Sequence, residues 1–192
     1  MDRGTGESRL IPRLFLVAPE HEATHLAACL AAACAAGGVA SLLLPHGFAK
    51  ELTPVAQKLG VAVLTIATPY TSADGVHVDA SAVAEARQAI GKNGIVGAFA
   101  GTSRHLAMEA AEAGADYVAL SQNAPAISGE SIIEWWATIF QIPCVAFDPV
   151  TAVELDTLLP QMPDFIRPLD AMWEGPDASR RIVSELTQRL KK

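Results

Sequence analysis

The chain has 192 residues, of which 51% are apolar and only 18% charged, with a formal net charge of −7. Those figures suit one domain with a sizeable core and speak against disorder. They also leave no basic footprint for nucleic acid or an anionic membrane surface. The opening MDRGTGESRLIP (residues 1–12) reads as a flexible polar tail, and the apolar run behind it is too short for a signal or membrane segment. Residues 13–192 carry no linker or low-complexity stretch and read as a single domain.

In chain order, LFLVA (14–18) is a strand, and an Ala-rich helix over 24–38 follows and closes on Gly37-Gly38. VASLLL (39–44) and VAVLTI (61–66) are strands around a helix near 50–59 that ends at Gly60. A connection too short for a full helix leads to DGVHV (74–78) and then to a helix over 81–91. GIVGAF (94–99) precedes a helix that starts at Thr102-Ser103, good N-cap residues, and ends at Gly114. DYVAL (116–120), a helix around Trp135-Trp136, IPCVAF (142–147), a helix near 150–158, DFIRPL (164–169) and an amphipathic helix over 178–190 complete the order.

Strand runs that are apolar without alternation indicate a parallel sheet covered on both faces. Eight βα units predict an α/β fold, a small (β/α)8 TIM barrel with a shortened segment after strand 3. A doubly wound open sheet is the competing topology, although no GxGxxG follows the first strand.

Cys29, Cys34 and Cys144 are odd in number and none is flanked by His or a carboxylate. They read as buried free thiols in a reducing cytoplasm. HEATH (21–25) matches H-E-x-x-H, in which two histidines one turn apart bind zinc. Its place at a helix start just after the first strand favours a solvated terminus over a protease, leaving His21 and His25 as weak metal candidates.

In a closed barrel Asp79, Asp148 and Asp170 fall at the C-terminal ends of strands 4, 7 and 8, with His77 beside the first of them and Ser121 at the end of strand 6. Clustered there, the carboxylates would suit a hard cation or a cationic ligand. Alternatively they cap the helices that follow. His46, in the loop after strand 2, faces the same rim, whereas His105 lacks a partner and reads as a surface residue. Trp135, Trp136 and Trp173 read as pocket or dimer-face residues, one of the adjacent pair being core. An exposed Trp beside Ile132, Ile133 and Phe140 would make a homo-oligomer face.

RLFLVAPE, AAGGVASLLLP, ADGVHVDA, EARQAIGKNGIVGAF, AGADYVAL and IPCVAFDPVTA, in this order, resemble the thiamine-phosphate synthase and TenI superfamily over residues 13–190. ADGVH and GADY are the most specific pieces. The resemblance implies a (β/α)8 barrel whose C-terminal rim holds an aminopyrimidine and a thiazole phosphate. In the synthases a Mg-bound pyrophosphate leaves the pyrimidine and the thiazole nitrogen replaces it; TenI-type relatives isomerise a thiazole carboxylate phosphate. Both need a phosphate site built from backbone N–H groups and glycines in the last two βα loops.

Departures from the pattern are concentrated at that rim. Leu43, Pro45 and Gly47 stand where Gln, Arg and Lys would, and Ala67-Thr68 where an Asn-Asp pair would. The HLGQ box becomes HVDASA, keeping His77, with Asp79 the nearest stand-in for the Mg-binding Asp. The GxS after strand 5 reads Gly97-Ala98-Phe99, and SQNAPAISGE after strand 6 contains no Lys or Arg. Gly-Gly after strand 7 reads Asp148-Pro149, and the Ser near the end of strand 8 reads Asp170. Pro149 removes a backbone donor. Each carboxylate at about 4–6 Å from a phosphate dianion would cost on the order of a few kcal/mol. The expectation is a small-molecule-binding protein of thiamine-precursor metabolism with an eroded substrate and phosphate site, Mg being needed only if the family reaction is kept. The alternative is a non-catalytic ligand-binding or regulatory barrel.

Overall fold

A computed structural model describes residues 11–192; the tail expected at the N-terminus lies, up to Leu10, outside the described residues. Eight strands pair in parallel in sequence order: β1 (Arg13–Val17), β2 (Val39–Leu44), β3 (Ala62–Ile66), β4 (Gly75–Asp79), β5 (Ile95–Gly101), β6 (Tyr117–Leu120), β7 (Cys144–Val150) and β8 (Phe165–Pro168). Pairing of Arg13 and Leu14 with Phe165 and Ile166 closes the barrel and removes the open-sheet alternative. The helices are α1 (Ala23–Ala36), α2 (Ala49–Lys58), α3 (Val83–Ile90), α4 (Arg104–Glu112), α5 (Ile132–Ile139), α6 (Leu155–Leu158) and α7 (Pro176–Leu190). None lies between β3 and β4, as the short connection requires.

Strand alternation sorts the side chains into two cores. Leu14, Leu16, Leu42, Leu44, Val76 and Val78 point outward under the helices and join the larger one. Phe15, Leu43, Leu64, Tyr117, Ala119 and Val145 point inward and form the smaller one on the barrel axis. α1 has apolar residues around most of its circumference because it lies on α7, packing Leu26, Leu30 and Ala33 into the same cluster as Ile182, Val183 and Leu186.

One device recurs three times. Asp74 donates its N–H to the carbonyl of Val63, while its Oδ2 accepts the Val63 N–H at 2.7 Å. Asp116 and Val96 make the same reciprocal pair, with the side-chain bond again 2.7 Å, and so do Asp164 and Cys144, at 2.8 Å. In each case the aspartate just before an even strand satisfies the N–H of the first or second residue of the odd strand before it, a donor the ladder leaves free. This is the physical content of ADGVH and GADY.

Several expectations change. Cys29 and Cys144 are buried free thiols, but Cys34 is only half-buried. β7 runs on through Asp148 and Pro149, so that pair does not start a helix. Thr151 and Glu154 box the following turn instead, the Glu154 carboxylate accepting from the Thr151 N–H and hydroxyl, which hold its pKa below the usual value. Ile132, Ile133 and Trp136 are buried in the chain's own core, while Trp135, with the Arg104 guanidinium 4.7 Å above its ring, and Phe140 are partly exposed. Trp173 is buried too, its indole N–H donating to the Val17 carbonyl. No helix among the described residues is long and apolar enough to cross a membrane.

Candidate functional site

The C-terminal mouth holds a pocket of about 280 Å³ lined by Leu43, Ile66, Ala67, His77, Asp79, Phe99 and Phe147. Its floor is aromatic. His77 stacks on Phe147 (centroids 5.5 Å, 13° between planes) and on Tyr117 (5.6 Å, 20°), and Phe99 leans on Phe147 at 5.4 Å. His77 Nδ1 lies 2.7 Å from the Tyr117 hydroxyl, so the other ring nitrogen is the one left to a ligand. Burial pushes the His77 pKa down to about 4 and the Tyr117 phenol well up, so both are neutral near pH 7. His77 is therefore a floor residue inside the barrel rather than a rim residue.

Asp79 stands two residues on, in the same inward phase of β4, with its exposed carboxylate on the pocket wall among apolar neighbours. The chain beside it turns through Ala67, which sits in the left-handed region at φ 60°. Ser121 and Asp148 are brought together: the Ser121 hydroxyl donates to Asp148 Oδ2 at 2.6 Å, and the Asn123 N–H donates to the same oxygen at 3.1 Å. Gln122 completes the tie by bonding both backbone groups of Asp148. Asp170 is occupied by Arg167, which meets it through two bonds of 2.8 and 3.0 Å.

Asp79 is the N-cap residue of the 3-10 turn Ala80–Ala82 and Asp170 lies in the first turn of Asp170–Glu174, so the helix-start alternative holds for their positions but without a side-chain capping bond, whereas Asp148 lies inside β7. Among the described residues no group of three or more His, Cys, Asp or Glu is arranged to hold a metal ion. His46 is exposed and meets the Tyr70 ring edge-on at 6.0 Å, outside the pocket wall. The His21 and His25 rings lie 4.2 Å apart, tilted by 35°, but His25 Nε2 lies 2.7 Å from the Trp173 carbonyl, which fixes that ring against the barrel rather than toward a cation. His105 is a surface residue beside Glu109.

Arg167 has no counterpart among the candidates read from sequence. Its side chain is largely buried, with the guanidinium 5.3 Å from the Phe147 ring centre. The signal was available in DFIRPL, because Phe165 and Arg167 are two apart and so share the inward phase of the last strand.

A closed parallel barrel with an aromatic ligand pocket at the C-terminal ends of its strands belongs to the class of small (β/α)8 barrels that bind small molecules at that face. Residues 14–161 match the family model described as thiamine monophosphate synthase. The thiamine-phosphate synthase of Erythrobacter litoralis is 35% identical over 81% of this chain and 70% of its own, and that of Rhodospirillum centenum 32% identical over 93% and 98%. Thiamine phosphate pyrophosphorylase from Pyrococcus furiosus superposes with a TM-score of 0.75 at 19% identity, covering 95% of this chain and 97% of that one. The 3-hexulose-6-phosphate synthase from Salmonella typhimurium gives 0.69 at 14%, covering 93% and 98%. At such identities the two structures share the fold alone. The chain belongs to the thiamine monophosphate synthase family.

Proposed function

We propose that this protein binds an uncharged heteroaromatic ring of the thiazole or pyrimidine type at its barrel mouth and does not carry the family's displacement of pyrophosphate. The observation that carries this reading is Asp148. Its carboxylate occupies the end of β7, anchored by Ser121 and Asn123, where the resemblance calls for a glycine pair to receive phosphate. Asn123 thereby spends on the protein's own anion a backbone N–H of the kind a phosphate needs. Arg167, at the neighbouring strand end, is neutralised by Asp170. The pocket beside Asp79 is walled by Phe99, Phe147, Ile66 and Leu43, which favours a flat apolar ring with His77 as its hydrogen-bonding partner.

Magnesium does not fit this rim. It is held by one or two carboxylates together with substrate phosphates, and here the one uncommitted carboxylate, Asp79, lies among apolar side chains while Asp148 takes the place where a substrate phosphate would complete the coordination. No chemical step is derived through it.

Thermal unfolding with matched ligands tests the reading, since a ligand that binds only the folded state raises its stability. Unphosphorylated thiazole and hydroxymethylpyrimidine should raise the Tm, and their phosphate and pyrophosphate forms should not. The double variant Asp148→Gly, Pro149→Gly should gain a response to thiazole phosphate. Equal stabilisation of the unaltered protein by the phosphorylated forms, or complementation of a strain lacking the synthase, would overturn the proposal.

A further inference from the structure

The last letters of ADGVH and GADY meet inside the barrel. His77 pairs with Gly97, and Gly97 with Tyr117, so the three form one row across β4, β5 and β6. Gly97 brings no side chain to the space between its neighbours, and the Tyr117 hydroxyl crosses it to reach His77 Nδ1 at 2.7 Å. Both residues are buried, each 6% exposed. Among the described residues that hydroxyl meets no acceptor other than Nδ1.

The direction of the bond follows from counting hydrogens. A phenol has one O–H to donate, and a neutral imidazole has one N–H, on either nitrogen. With the ring proton on Nδ1, the phenol would only accept, and its own hydrogen would stay buried without an acceptor, at the desolvation cost of that group. With the phenol donating to Nδ1, both hydrogens are used and the ring proton sits on Nε2. Turning the ring over would set a carbon against the hydroxyl and satisfy neither group. Nε2 makes no hydrogen bond within the described residues, yet it is not sealed off as Ser41 Oγ and Thr53 Oγ1 are, so it keeps access to the mouth pocket that His77 lines.

We propose that Tyr117 is a positioning residue that fixes His77 in the Nε2–H tautomer, so that the floor of the mouth pocket is a hydrogen-bond donor and the ring it takes turns an unprotonated nitrogen lone pair inward. The inference rests on the reading of that pocket as a heteroaromatic site, and narrows it. Azines and azoles with a free lone pair fit, whereas a pyrrole-type ring, whose one polar atom is an N–H, sets donor against donor.

Imidazole ¹⁵N chemical shifts of the full chain at pH 7, without ligand, read the tautomer directly. Nε2 protonated and Nδ1 bare is the expected pattern, and Tyr117→Phe should move the shifts toward the average of the two tautomers. The ligand arm uses 4-methylthiazole and 3-methylthiophene, the same shape with the ring nitrogen replaced by C–H, followed by ligand-detected NMR. The thiazole should bind at least about tenfold more tightly, and the ratio should fall in Tyr117→Phe. A proton on Nδ1 in the unaltered chain, or an unchanged pattern in Tyr117→Phe, overturns the proposal. Should that variant not fold, the shifts of the unaltered chain still decide the tautomer. Equal affinity for the two probes also overturns it, because the floor would then make no use of its donor. Binding of neither probe, with Nε2 protonated, supports the role of Tyr117 and defeats the heteroaromatic reading of the mouth, so the two fail separately.

Discussion

The Tyr117 hydroxyl and His77 Nδ1 lie 2.7 Å apart inside the barrel, a neutral pair with no charged partner. The histidine pKa is about 4 in the fold, against an ordinary value of 6.5, because burial disfavours the imidazolium. Between those values the unfolded chain takes up a proton that the folded chain refuses. Stability from this group is therefore complete above pH 6.5 and is lost as pH falls toward 4, by on the order of 3 kcal/mol in all. Urea unfolding across that window should show the decline, and His77→Gln should flatten it relative to the unaltered chain. Parallel slopes in the two proteins would mean that the histidine is not the titrating group.

Gly97 is committed to the same ring. A Cβ at this position would fall inside the Tyr117 side chain. Gly97→Ala should cost about 3 kcal/mol or leave the protein unfolded, at the upper end of overpacking effects. Tyr117→Ala also destabilises, by opening a cavity. The double variant should nevertheless be more stable than the sum of the two by at least about 1 kcal/mol, which a double-mutant cycle of unfolding free energies reads directly.

Ala67 holds a conformation that suits Asn or Gly better than Ala, at φ 60° beside the mouth pocket. The resemblance expects Asn at this position, and the backbone keeps the shape that residue tolerates. Ala67→Asn should raise stability by about 0.5–1 kcal/mol with an unchanged denaturant slope, and Ala67→Val should lower it. A loss on introducing Asn would show that the left-handed turn is not where the chain settles.

Removing a clasp carboxylate should be expensive for so exposed a residue. Asp164→Ala orphans the Cys144 N–H at the base of β7 and should cost about 1–3 kcal/mol. Asp170→Ala breaks a half-exposed pair with Arg167 and should cost less than about 1 kcal/mol. Chemical denaturation of both variants side by side checks the ordering, and equal costs would contradict the role given to the clasps.

The fold was legible because parallel strands buried on both faces leave apolar runs such as VASLLL, which match β2 residue for residue. Strand ends were less so. β7 was read as closing at Phe147, yet it continues to Val150, because Gln122 bonds the Asp148 backbone in place of a neighbouring strand. The rim aspartates illustrate the harder limit. Sequence placed Asp79, Asp148 and Asp170 at strand ends, but not which partner each would meet, since Ser121 and Arg167 approach from other elements. His77 was placed at the right strand end and the wrong depth, a difference set by two residues of alternation and by the aromatic neighbours it stacks on.

The three aspartate clasps have a consequence for how the interior can change. Each pins its even strand to its odd neighbour, so the residue after each aspartate, Gly75, Tyr117 and Phe165, keeps the inward phase of its strand. A slip of one residue would break the clasp and turn the whole strand inside out. Frame and contents are thereby uncoupled. Exchange of the letter that follows a clasp resizes the chamber at that level while the pins hold the staves in register, so the barrel can take on a differently shaped guest without being rebuilt.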